Sequence, residues 1–146
     1  MWQAHGQAKT AVGLFAIELD RLGAPFGAPF GVRAFAVHPG GIMTALQHHL
    51  PREEIIASGW MTDDGAVNGR FESPQEGAAT SVWAATFPQL EDMGGVYCEH
   101  CDIAEPTAVG SLEARVRGVD ARAIDRTAAM RLWALSATLI GVNAFA

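Results

Sequence analysis

Between Gln7 and Leu22 the apolar residues Ala8, Ala11, Val12, Phe15, Leu19 and Leu22 recur at helical spacing, and Leu14 and Ile17 widen the stripe. The pattern predicts a helix that needs cover on more than one side. Glu18, Asp20 and Arg21 mark its wetter end, and Gly23 stops it. Val32 to Val37 shows little polar alternation, which suits a parallel strand covered on both faces. After Pro39-Gly40-Gly41, residues Thr44 to Leu50 are expected to form a helical turn, and Pro51 opens a further short helix. Ser73-Pro74-Gln75-Glu76 is a capping box with proline at the first helical position. The helix it starts is expected to turn Ala78, Ala79, Val82 and Trp83 inward and to end at Pro88. Gly95 to Glu99 reads as a second strand, residues 104 to 120 as loop. Asp120 is the expected cap of a last helix whose stripe is Ile124, Ala128, Leu132, Leu135 and Leu139.

Two intervening stretches carry no regular period. Gly23-Ala-Pro-Phe26 is followed at once by Gly27-Ala-Pro-Phe30, a tandem repeat too short for a solenoid unit and rich in loop formers. It reads as a duplicated surface loop with partly exposed phenylalanines. Residues 58 to 72 are rich in glycine and aspartate around an isolated Trp60.

At 146 residues and 49% hydrophobic content, the chain is one domain's worth with enough apolar material for a core. A net charge of -6, with only scattered arginines between 115 and 131, argues against nucleic acid and anionic membrane as partners. No apolar run approaches the ~20 residues of a bilayer span, and the start lacks the pattern of a secretory signal, so a soluble cytoplasmic protein is expected. Cys98 and Cys101 would then remain thiols.

His5 and Lys9, four residues apart, leave the same helical face. The strand ending at Pro39-Gly40-Gly41 puts a loop at its carboxyl end, where open α/β sheets bind ligands. Cys98-Glu99-His100-Cys101 is not placed at a helix start as a redox pair would be, and neither His5 nor His48-His49 is at ligand spacing from it. No metal site is expected. Trp83 and Trp133 read as packing residues.

His5-Gly-Gln-Ala-Lys9, then Leu14-Phe-Ala-Ile-Glu-Leu-Asp20, then His38-Pro-Gly-Gly-Ile-Met-Thr44 resemble the second half of a short-chain dehydrogenase/reductase of the retinol-dehydrogenase-like branch. Ser73-Pro-Gln-Glu-Gly-Ala-Ala-Thr80, Gly94-Gly-Val-Tyr97 and Arg131-Leu-Trp-Ala-Leu-Ser136 extend the likeness over nearly the whole chain. The family carries Tyr-x-x-x-Lys on the first helix and Pro-Gly-x-Val-x-Thr at the turn. Here His5 stands at the tyrosine position, and Ala8 replaces the serine before the lysine. The chain opens at Met1 on the threshold of this helix, without the glycine-rich dinucleotide turn, so a partial domain over 1–146 is expected.

The resemblance implies an α/β fold: the C-terminal part of a doubly wound, Rossmann-like parallel sheet, with two parallel strands and flanking helices. It implies an NAD- or NADP-dependent oxidoreductase moving hydride between the nicotinamide and a small carbonyl or alcohol substrate. His5 and Lys9 would be the catalytic pair, with Lys9 also on the ribose; Pro39, Gly40, Ile42 and Thr44 would contact the carboxamide and pyrophosphate; residues 58 to 72 would be the substrate lid. An imidazole reaches less far than a phenol, and in the family the adenine and most pyrophosphate contacts come from the half not represented here, so no activity and weak or no cofactor binding are expected of this chain alone. The alternative is a non-catalytic remnant or a module that pairs with another chain. An apolar first helix beside a strand lacking one neighbour suggests a homo-oligomer through Leu14, Phe15 and Ile17.

Overall fold

The computed structural model describes residues 2–25, 31–108 and 117–145. The first helix, α1, runs Trp2–Gly23 and is longer than its periodicity indicated. It is wedged between a sheet and the last helix, and this moves its core face. Leu14 and Ile17 are buried against Ala129, with Ile124, Ala128 and Leu132 around them. Ala16 packs on Ala34 and Ala36, beside Leu19 and Tyr97. Part of the expected stripe is left outside: Val12 is 62% exposed and Phe15 44%, and Ala8 is exposed as well, whereas Leu19 is packed. An apolar helix gives no single preferred face, so the neighbours decide which sector is covered.

The acidic end of α1 is also not wet. Glu18 and Asp20 are buried, a position charged residues tolerate when paired. Arg21 binds Glu18 at 2.6 Å, and Arg33 binds Asp20 at 2.8 Å. Val32 donates its N–H to the carbonyl of Gly23. Phe26 and Phe30 lie outside the described residues.

Strand β1 (Phe35–His38) pairs in parallel with β2 (Val96–Glu99), in register from Phe35 opposite Val96 to His38 opposite Glu99. It begins later than the apolar run because Arg33 and Ala34 are engaged by Asp20. β2 turns back into β3 (Asp102–Ile103) through His100 and Cys101, both at positive φ, as a tight two-residue hairpin requires. The order is β1-β2-β3, so among the described residues one edge of β1 has no neighbour. The stretch expected to be loop contains a second parallel pair, β4 (Pro106–Thr107) and β5 (Val119–Asp120). Two-residue ladders are too short to leave a period in the sequence.

Thr44 caps a 3-10 turn over Ala45–His49, and α2 spans Arg52–Ala57. The Ser73–Glu76 capping box opens α3 (Pro74–Thr86) as expected, but the inward residues are Gly77, Thr80 and Ala84. Val82 is 60% exposed, Ala78 and Ala79 are exposed, and Trp83 stacks on Phe87 at 5.4 Å. The reason is close approach: a side chain at Gly77 would run into Ile42 and come within 3.1 Å of the Pro39 carbonyl oxygen. A helix this near its support turns its smallest residues toward it.

Asp120 caps a 3-10 turn over Ala121–Ile124 rather than the last helix. Asp125 caps α4 (Arg126–Ile140), accepting from the N–H groups of Thr127 and Ala128. Its stripe is covered only in part. Ile124, Ala128 and Leu132 meet α1, whereas Leu135 and Leu139 are 56% and 76% exposed. Trp133 stacks on Phe15 at 4.9 Å. The observed class is α/β, parallel strands flanked by helices, as expected of part of a Rossmann-like fold. Among the described residues no helix is long and apolar enough to cross a membrane.

Candidate functional site

A cleft of about 660 Å3 opens between the first half of α1 and the loop that leaves β1. His5 and Lys9 line it from α1; Pro39, Gly40, Ile42 and Thr44 line it from the loop. The fold therefore brings together the six residues that the family motifs nominate for the site. Leu46, Trp60 and Phe71 add an apolar wall, with Trp60 and Phe71 edge to face at 6.0 Å.

Lys9 is exposed and makes no ion pair or hydrogen bond among the described residues. Its charge is available to an anion or to hydroxyl groups in the cleft. His5 is exposed one turn earlier on the same helix.

The loop is built so that its main chain can approach a ligand. Gly40 has φ +84, a left-handed conformation that glycine adopts without cost. Its N–H donates to His38 Nδ1 at 3.3 Å. The carbonyl of Gly41 accepts from the N–H of Glu72, and that of Ile42 from Gln47 Nε2. The N–H groups of Gly41 and Ile42 have no intrachain acceptor among the described residues. Gly41 is exposed and Ile42 half-buried, both in the lining of the cleft, so these donors are left for water or for whatever enters it. Thr44 differs: its hydroxyl accepts from the N–H of Leu46 and lies 3.2 Å from Gln47 Oε1, so it is committed to the cap of the 3-10 turn.

Cys98 is completely buried in β2. Burial, with the nearby Asp102 charge, pushes its thiol up to about 11. Cys101 is exposed on the hairpin turn. Among the described residues no group of histidine, cysteine and acidic side chains is arranged to hold a metal. Burial, with the Glu99 carboxylate, also raises Tyr97, which reaches both this cleft and a second one of about 580 Å3. In that second cavity Glu99 Oε1 accepts from the N–H of Gly118 at 2.6 Å.

Motif reading missed Glu72. Its N–H reaches Gly41, its carboxylate lies against Gly40, and His100 Nδ1 is 3.4 Å from its Oε1. Only its place just before the capping box stands out in the sequence, and that says nothing of a contact so distant along the chain.

The chain is 40% identical over 144 residues to a "Probable oxidoreductase" of Streptomyces lividans, a match covering 97% of this chain and 46% of that protein. It is 34% identical over 142 residues to "Short-chain dehydrogenase/reductase prx1" of Penicillium roqueforti, covering 97% and 39%. It is 34% identical over 145 residues to "Polyprenol dehydrogenase" of Mus musculus, covering 97% and 36%. The chain thus spans less than half the length of the curated relatives it matches. No family model matches it, and no solved structure gives a significant match.

Proposed function

We propose, for a chain that corresponds to the C-terminal half of a short-chain dehydrogenase/reductase, that its cleft receives the nicotinamide end of NAD(H) or NADP(H) beside a carbonyl or alcohol substrate. The observation that carries the reading is the meeting of Lys9 with the Pro39–Thr44 loop in one cleft. The donor set suits that group: an ammonium with no partner among the described residues, two main-chain N–H groups without acceptors, and glycines that leave room for close approach. Bound there, a nicotinamide would supply or take up hydride.

The chain's own residues have distinct tasks in this reading. Lys9 holds ribose hydroxyls. The N–H groups of Gly41 and Ile42 hold the carboxamide or a phosphate oxygen. Trp60, Phe71 and Leu46 exclude water from the substrate side, and an alcohol of the kind named in the mouse relative suits so apolar a wall. His5 can hold a proton on its imidazole, but it is shorter than the tyrosine usual at this position, so proton transfer to a carbonyl oxygen is poorly served. The rest of the dinucleotide falls to groups outside this span, so the 146-residue chain alone binds weakly and does not turn over.

A second reading, a module that pairs with another chain, is favoured by one pair of observations. The outer edge of β1 has no neighbour among the described residues, and Val12 and Phe15 are exposed apolar residues on α1. The two readings meet in one experiment. The chain, and its His5→Tyr/Ala8→Ser variant, are assayed for carbonyl reduction with NADH and NADPH, alone and after co-expression with the part of the Streptomyces lividans relative that the chain does not span. The proposal expects activity only from the double variant with the added segment. Turnover by either form alone overturns it.

A further inference from the structure

Glu72 sits where three parts of the molecule meet. Its N–H donates to the carbonyl of Gly41 at 2.8 Å, and it forms an isolated parallel bridge with Ile42. Its carboxylate fills the space over Gly40 that any other residue's Cβ would occupy. His100 Nδ1 lies 3.4 Å from Oε1, with the Glu72 side chain only 28% exposed.

Each contact is anchored independently. His100 belongs to the β2–β3 turn, and its neighbour Cys101 donates its N–H to Thr80 Oγ1 of α3 at 3.2 Å. On the lid side, Asn68 donates from its side chain to the carbonyl of Gly59 and from its main chain to that of Trp60, while Phe71 donates to the carbonyl of Asn68. The lid is thus braced up to the residue before Glu72. On the far side of the loop, Gly77 lets α3 rest on Ile42 and the Pro39 carbonyl. The glycine loop is thus met by α3 at Ile42 and Pro39, by the Phe71 ring at Gly41 and by the Glu72 carboxylate at Gly40, and Glu72 is the residue that also meets the hairpin through His100.

We infer that Glu72 is a positioning residue for the site: its carboxylate, steadied by His100, fixes the main chain of Gly40, Gly41 and Ile42 and couples that loop to the lid carrying Trp60 and Phe71. The functional consequence rests on the nicotinamide reading of the cleft; the mechanical one does not. Gly40 has φ +84, and its N–H donates to His38 Nδ1 while Gln47 Nε2 holds the carbonyl of Ile42, so Glu72 acts beside these bonds as the side chain that fills the space over Gly40. Removing the carboxylate empties that space and leaves Gly40 more of its conformational freedom. The variant Glu72→Gln, which keeps the bulk and removes the charge, separates the two contributions of the carboxylate.

The test is 15N relaxation on the 146-residue chain and on its Glu72→Ala, Glu72→Gln and His100→Ala variants. In the unmodified chain the amides of Gly40, Gly41 and Ile42 should have order parameters near the ~0.85 of rigid backbone. They should fall below ~0.6 in Glu72→Ala, with smaller falls in Glu72→Gln and His100→Ala, while the β1 and β2 amides stay rigid. If Glu72→Ala does not fold, the two milder variants carry the test. Order parameters unchanged at the loop in every folded variant overturn the inference. A second arm titrates each form with NADH. A loop that loosens while the NADH-induced shifts weaken at least threefold supports both the latch and the cleft reading. A loop that loosens with no NADH effect in any form supports the latch and counts against the cleft reading alone.

Discussion

Asp20 and Arg33 join the end of α1 to the start of β1: Asp20 Oδ1 accepts from Arg33 Nε at 2.8 Å and Oδ2 from Nη2 at 3.1 Å. The same Oδ1 accepts the N–H of Ala34 at 3.1 Å. The carboxylate also lies over Gly94, where any side chain would collide with it. A buried acid so connected cannot lose its partners cheaply. Asp20→Ala should cost about 3 kcal/mol of unfolding free energy, because it strands the Arg33 guanidinium and the Ala34 donor together. Urea denaturation checks this, and Arg33→Met should cost less, since Ala34 keeps its acceptor.

The two cysteines should separate by reactivity. Cys98, fully buried and with its thiol held at about 11, has almost no thiolate at pH 8, whereas Cys101 is exposed. A disulfide reagent should modify Cys101 promptly and Cys98 on the order of 100-fold more slowly, in step with unfolding. The sign of the linkage follows. A thiol raised in the folded state contributes stability below its ordinary value of 9.0, and that contribution is lost as pH rises toward 11. Cys98→Ser should flatten the alkaline limb of a stability profile between those limits.

Assembly should run through α1, but not through all the residues that the sequence suggested. Leu14 and Ile17 are spent inside the chain. Val12 and Phe15 are exposed on α1, with the Phe15 ring stacked on Trp133 of α4, and separately one edge of β1 has no neighbour among the described residues. Sedimentation velocity at tens of micromolar is expected to show self-association, weakened at least tenfold by Phe15→Glu, which puts a charge into the contact. A well-folded monomer indifferent to Phe15→Glu would refute it.

Signals confined to a few neighbouring residues were legible. The Ser73–Glu76 box needs nothing beyond itself, and it opened α3 where expected. The parallel pairing of the strands around Ala36 and Tyr97 followed from the family order of motifs, and so did the fold class. Which side of a helix faces inward was legible only in part: Ile124, Ala128 and Leu132 meet α1 as expected, whereas the inward face of α3 was not foreseen. Gly77, Thr80 and Ala84 are poor hydrophobic signals, yet they face the core because α3 lies so close to its support. Asp120 and Asp125 are both good caps, and only the geometry of the 3-10 turn between them shows which one opens α4. At the site, Lys9 and Gly40 could be named from motifs, but Glu72 could not, because no local rule joins a lid residue to a distant glycine turn.

The central claim, that the Lys9 cleft is the nicotinamide end of a dinucleotide site, is tested most directly by titrating the 15N-labelled chain with NADH and mapping the shifted amides. The account expects shifts concentrated at Lys9 and from Gly40 to Ile42, with a Kd of about 1 mM or weaker, since the adenine end has no partner in this span. Shifts centred on the second cleft around Glu99 and Arg126, or micromolar binding by the chain alone, would contradict it.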